Sequence, residues 1–116
     1  MMATLTNRTQ DKVLISDLKI AVKLFSRMIG LLGTKSLSES EALWIHRCNS
    51  IHTFFMNYAI DCVFVDKDMK VKAVKSEVKP DRLVFPIWGA RSVIEMRAGA
   101  ILQKQIRVGD QLHVDA

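Results

Sequence analysis

The residues best equipped for chemistry lie close together, in Cys48-Asn49-Ser50-Ile51-His52-Thr53 and, after an aromatic stretch, at Asp61 and Cys62. A thiol, an imidazole, hydroxyls, an amide and a carboxylate stand among bulky apolar neighbours, where a polar group is costly to bury unless it is paired. Cys48 and His52 could act as nucleophile and base, oriented by Asp61 or Glu95. Such a thiolate needs an electropositive, partly open setting, which Arg47 could favour. Against this, a cysteine in an apolar run is commonly a small buried hydrophobe, and Cys62 reads as core. Asp61 and Glu95 each interrupt an apolar strand. Two carboxylates can do general acid and base work. The structural alternative is that each accepts hydrogen bonds from backbone amides or from Arg27, Arg91 or Arg97.

Metal ligation is the third chemistry to weigh. His46, Cys48 and His52 are ligand types for zinc or copper, but the paired spacing of structural sites is missing. A fourth ligand would have to be Cys62, Asp61 or Glu95. No resident metal or cofactor is expected. The chain also lacks a phosphate-cradling glycine loop, a Gly-x-Ser-x-Gly and a His-Glu-x-x-His, which argues against nucleotide-driven chemistry and the common hydrolases.

The elements that must position these residues follow from periodicity. Residues 1–10 are polar and are expected to be a disordered N-terminus, with residues 11–116 forming one compact domain. Val13-Leu14-Ile15 and Leu18-Lys19-Ile20-Ala21-Val22 read as strands, with a hairpin across Ser16-Asp17. In residues 24–32 the apolar period becomes helical, and Gly33 is expected to close that helix with a positive φ. Leu43-Trp44-Ile45 reads as a strand. Residues 60–65 read as a central strand buried on both faces, paired through a turn at residues 66–69 with a strand at 70–74. Residues 77–89 hold Pro80, Pro86 and Trp88 and read as a long loop. Residues 90–96 form a further strand. Residues 100–106 suit a short helix with Ile101, Leu102 and Ile106 inward, and Gly109-Asp110 turns into a last strand. The pattern predicts an α+β, mostly-β domain, a small partly open β-barrel or strongly bent sheet with two short helices.

Four segments resemble an uncharacterised prokaryotic family, the domain of unknown function 192. They are Arg27-Met28-Ile29-Gly30-Leu31-Leu32-Gly33, the block Ile51-His52-Thr53-Phe54-Phe55-Met56 with Ile60-Asp61-Cys62-Val63-Phe64-Val65-Asp66, Val93-Ile94-Glu95-Met96-Arg97-Ala98-Gly99, and Val108-Gly109-Asp110. Leu32 stands where that family usually has Met. The resemblance runs over roughly residues 11–115. It implies a strand-rich domain and no established reaction.

Composition narrows the function classes. The 116 residues are 49% hydrophobic and 25% charged, ordinary for a soluble globular chain. No apolar run approaches the roughly 20 residues of a membrane span, and the first ten residues lack a secretory pattern, so a cytoplasmic location is expected. Seventeen Lys and Arg against twelve Asp and Glu give a net charge of +5. Lys70 and Lys72 alternate with apolar residues as on a solvated edge strand. No stacking platform accompanies them, so no nucleic-acid partner is expected, and without a spanning run no membrane partner is expected either. Two cysteines are too few for a disulfide scaffold, and reduced thiols are expected. Nothing in the pattern sets an oligomeric state.

The reading that absorbs most of these features is a non-catalytic binding module for a small molecule, sugar or peptide. Its contacts would be Asn49, His52, Thr53 and Asp61 at a rim, with Trp88 as an apolar wall. An enzyme using Cys48 and His52 with a carboxylate is the first alternative. A structural accessory protein that docks a partner through an exposed apolar loop is the second.

Overall fold

A computed structural model describes residues 3–21, 37–46, 49–53 and 58–116, with backbone alone at Ala21 and His52. Nine strands and one short helix are described: β1 (Ala3–Asn7), β2 (Lys12–Ala21), β3 (Glu41–His46), β4 (Ile51–His52), β5 (Ile60–Val65), β6 (Val71–Val78), β7 (Leu83–Val84), β8 (Ser92–Arg97), α1 (Ala100–Gln103) and β9 (Leu112–Asp115). Seven strands form one sheet in the order β6-β5-β8-β3-β2-β1-β9, and β4 pairs with β7 in a small second sheet.

The large sheet is a strongly curled, open half-barrel. Its edge strands β6 and β9 meet only where they begin. A bridge joins Lys70 to Gln111. Hydrogen bonds link the Val71 amide to the Asp110 carbonyl (2.9 Å), Gly109 to Val71 (2.9 Å) and Leu112 to Met69 (2.9 Å). Closing a sheet at one end satisfies backbone groups that a bare edge would leave open. Asp110 is 5% exposed, and its carboxylate secures this corner. It accepts from Asn7 Nδ2 (2.8 Å), Gln10 Nε2 (3.0 Å) and the Arg107 amide (2.9 Å). Gly109 takes φ +95° in the same turn, a conformation that strains any residue with a Cβ.

The sheet buries both faces. Leu5, Ile15, Leu18, Ala42, Val63, Val65, Val71, Ile94, Met96 and Leu112 fill the barrel interior with Ile101 and Ile106 of the α1 segment. The outer face of β3, β8 and β5 carries Leu43, Ile45, Cys62, Phe64 and Val93, packed against Ile51, Val84 and Ile87. The central strand is β5, where all six residues are buried. Its neighbours are β6 and β8, both antiparallel, in agreement with the continuous apolar run.

Four expectations need correction. Residues 3–7 are a strand, not a frayed tail, because Ala3, Leu5 and Asn7 alternate inward and the segment sits between β2 and β9. Ser16-Asp17 is no hairpin. The turn comes earlier, at residues 8–11, with Asp11 at φ 53°. Between Ala3↔Leu18 and Leu5↔Ile15 the register shifts by one residue, so Ser16-Asp17 is absorbed as a bulge. β2 then continues into parallel pairing with β3. The proline-containing segment is not strandless, since β7 pairs Leu83 and Val84 with His52 and Ile51. Finally, Leu102 is 85% exposed whereas Ile101 and Ile106 are buried. Consecutive positions on a helical turn cannot share a face. The expected helix at 24–32, with Gly33 at its end, lies outside the described residues.

Candidate functional site

Asp61 is the polar residue most deeply placed in the central strand, at 0% exposure. Strand alternation puts it on the interior face with Val63 and Val65. Its carboxylate accepts from the Glu77 amide at 2.7 Å and the Ile101 amide at 2.8 Å. Both donors are presented by special backbone. Between Ile60↔Val78 and Cys62↔Lys75 the β5–β6 register slips by one residue, and Glu77 in that bulge adopts φ 52°. Ile101 lies in the first turn of α1, whose N-cap Gly99 (φ 95°) contributes no side-chain cap. The Asp61 carboxylate supplies from another element what a Ser or Asp cap supplies locally. It ties an edge strand and a helix to the centre of the sheet.

Glu95 is 6% exposed and lies on β8 opposite Cys62 of β5 and Leu43 of β3. Asp61 is opposite Met96. Since Met96 and Ile94 face the barrel interior and Val93 the outer cluster, Asp61 and Glu95 are on opposite faces of the sheet. The geometry separates the two carboxylates that an acid–base pair would need together.

Thr53 is also fully buried and fully engaged. Its hydroxyl donates to the Lys79 carbonyl at 2.6 Å and accepts from the Arg82 amide at 2.8 Å. Its own amide donates to the Arg82 carbonyl (2.8 Å), and its carbonyl accepts from the Asp81 amide (3.0 Å). Asp81, at φ 61°, completes this tight bend without a glycine. Asn49 is exposed and serves through its backbone, its carbonyl accepting from the Ile87 amide at 2.8 Å. Thr53 and Asp61 therefore both brace the chain after β6, one through residues 79–82 and the other through Glu77, and they share no hydrogen bond. Cys62 is fully buried and forms no disulfide among the described residues. Cys48 lies outside the described residues, as does the side chain of His52. Among the described residues no cluster of His, Cys, Asp or Glu is gathered as for a metal.

The braced loop carries an exposed apolar ridge. Val84 and Ile87 turn inward against the outer cluster. Leu83, Phe85 and Trp88 turn outward with exposures of 56%, 74% and 96%, and Pro86 is exposed beside them. Trp88 thus stands clear of the domain as a projection. Arg82 and Arg91 flank the ridge and Lys79 precedes it, all exposed. Elsewhere, Trp44 and His46 stack with ring centroids 4.0 Å apart, and Trp44 Nε1 donates to Ser92 Oγ at 2.9 Å. Sequence spacing does not reveal that cluster, because His46 and Ser92 are far apart in the chain and meet only through the β3–β8 register.

The family model described as "Uncharacterized ACR", the domain of unknown function 192, matches residues 4–114. The chain belongs to this family. Two relatives agree with the assignment. The UPF0127 protein of Thermococcus sibiricus is 34% identical over 112 residues, covering 93% of this chain and 72% of that protein. The UPF0127 protein of Thermococcus kodakarensis is 31% identical over 108 residues, covering 90% and 68%. Among solved structures, a candidate transcription regulator from Sinorhizobium meliloti superposes with a TM-score of 0.82 at 14% identity, covering 97% of this chain and 91% of that one. A protein of unknown function from Novosphingobium aromaticivorans gives 0.81 at 17% identity, covering 96% and 82%. At such identities the likeness carries the fold and not the function. Among the described residues of this family member no helix is long and apolar enough to cross a membrane.

Proposed function

We propose that the chain is a non-catalytic binding module that recognises an extended, apolar and negatively charged target through residues 82–91. The observation that carries this is the sorting of side chains in one short loop. Val84 and Ile87 anchor it, while Leu83, Phe85 and Trp88 remain in water. Contiguous exposed apolar side chains rimmed by polar residues mark interaction sites. The loop is also shaped before any partner arrives. Thr53 holds one end and the Asn49 carbonyl the other, and Pro86 restricts the chain between them. Preorganisation lowers the ordering cost of binding.

On this reading Asn49 and Thr53 support the contact surface from behind, and Trp88 is the contact. A small molecule or sugar enclosed in a pocket would favour a concave site, which a tryptophan 96% exposed does not wall. The enzyme alternative draws less support from Asp61, which is engaged by two amides and lies on the face of the sheet away from β4.

The test is selection of displayed random peptides on the whole protein. Enrichment of sequences combining carboxylates with aromatic or aliphatic residues is expected. Their binding should vanish in Leu83→Ser/Phe85→Ser/Trp88→Ser while the thermal transition is retained. Peptides that bind this variant as well as the parent would refute the assignment.

A further inference from the structure

We infer that the 82–91 ridge is a docking element for an anionic bilayer surface. This rests on the binding-module reading above and gives its target a chemical class. Three observations converge. The first is shape: side chains exposed by 74% and 96% at Phe85 and Trp88 form a projection, and a bilayer interface accepts a projection without a matching groove. The second is residue type. Tryptophan is favoured at the boundary between headgroups and acyl chains, and Phe and Leu at the apolar side of it. Pro86, exposed between them, offers no amide donor.

The third is charge and area. Lys79, Arg82 and Arg91 are exposed and enter no ion pair among the described residues. Lys72 is paired with Asp66 at 3.7 Å, and its Cε would be 3.9 Å from a Cβ on Gly89, so another cation lies beside the Trp88-Gly89 turn. Asp81 and Glu77 are the exposed acids of the same stretch. Cations beside an apolar insertion are attracted by acidic lipid headgroups. The three outward side chains offer on the order of 400 Å², short of the roughly 800 Å² per partner of a standard protein interface. That area is small for a folded protein partner and fits shallow insertion.

The experiment uses the whole chain with vesicles of phosphatidylcholine alone and of equal parts phosphatidylcholine and phosphatidylglycerol, read by cosedimentation and tryptophan emission. Partitioning onto the anionic vesicles is expected, with a blue-shifted emission and a loss of binding as salt is raised. Trp88→Phe should keep most of the partitioning and abolish the shift, because the remaining Trp44 is already hydrogen-bonded to Ser92. Trp88→Ala should lower partitioning about tenfold. Arg82→Gln/Arg91→Gln should lower it several-fold and flatten the salt dependence.

Absence of binding to anionic vesicles overturns the inference. Equal binding to neutral vesicles, or undiminished binding by the Leu83→Ser/Phe85→Ser/Trp88→Ser variant, does the same. If vesicles fail but acidic peptides still bind through the ridge, the binding-module reading stands without the bilayer. If neither binds, both fall.

Discussion

Two regions of this domain break the usual sorting of polar outside and apolar inside, in opposite senses. At the centre of the sheet, Asp61 is a carboxylate with no exposure, satisfied by two amides. In β7 and the loop after it, Leu83, Phe85 and Trp88 are apolar and exposed. A buried polar group in a stable protein is almost always hydrogen-bonded, so Asp61 is explained from within the molecule. For three exposed large apolar side chains so close in the chain, the described residues give no such internal explanation. The comparison teaches that the chemically capable residue is accounted for by the architecture, whereas the chemically inert ones are what the proposed binding role rests on.

The largest effect should come from breaking the first region. Asp61→Ala leaves the Ile101 amide buried, and the Glu77 amide partly buried, without an acceptor. Two such losses cost about 3 kcal/mol or more, and urea denaturation should show it. Asp61→Asn keeps one carbonyl acceptor and should recover part of the loss. Hydrogen exchange at Ile101 and Glu77 should rise first in both variants. A stability change below about 0.5 kcal/mol for Asp61→Ala would mean that the staple is dispensable and would reopen Asp61 as a site residue.

Thr53 sits between the two regions, since its hydroxyl is buried but what it holds is the ridge. Thr53→Val removes the acceptor for the Arg82 amide and the donor to Lys79. The expected loss is about 2 kcal/mol, with Thr53→Ser close to the parent. Ridge binding should weaken in Thr53→Val even in the fraction that stays folded, because the loop loses its preset shape. Retention of full binding by Thr53→Val would separate the brace from the surface.

Much of this was legible in the residues. The run at 60–65 is apolar at every position but one, and it is the central strand. The Asp66 turn and its return strand follow from Asp66-Lys67-Asp68 between apolar runs. Hidden were features decided by register and long-range contact. Ser16-Asp17 looks like a turn locally and is a bulge only because β1 runs alongside. Residues 3–7 look polar until Asn7 is seen to pair with Asp110, 103 positions away. Likewise, periodicity cannot reveal that Asp61 and Glu95 face apart, because that depends on which residue of β8 stands opposite each residue of β5. Trp88 stands out in the sequence as a tryptophan in a proline-containing segment, but its 96% exposure depends on how that segment folds.

A titration sharpens the comparison at the surface. Burial pushes the Asp66 carboxyl up, but amides of Lys70 and Asp68 and the charges of Lys72 and Lys70 outweigh it and hold it below its ordinary 3.8. A carboxyl lowered in the native state stabilises the fold above the unfolded-state value. That contribution disappears as pH falls through the native value. Stability should therefore drop below about pH 4, and Asp66→Asn should flatten that acid limb. At neutral pH the exposed pairing with Lys72 should make the same variant differ by only about 0.5–1 kcal/mol. An acid limb unchanged in Asp66→Asn would assign the loss to other carboxylates.

The smallest stability effect is expected at the second region. Trp88 is 96% exposed and Phe85 74% exposed, so replacing them with serine removes almost no buried apolar area. Surface changes of this kind stay within about 0.5 kcal/mol. The inward neighbours supply the internal control. Ile87 packs on the outer cluster with Val84, so Ile87→Ala should cost about 1–2 kcal/mol, partial burial reducing the usual core penalty. Solubility should move the other way, with Phe85→Ser/Trp88→Ser less prone to self-association than the parent. Measured together by urea denaturation and light scattering, these variants test whether the two faces of one short loop have separate tasks. If Trp88→Ser cost as much as Ile87→Ala, Trp88 would be an anchor of the fold and the contrast between the two regions would collapse.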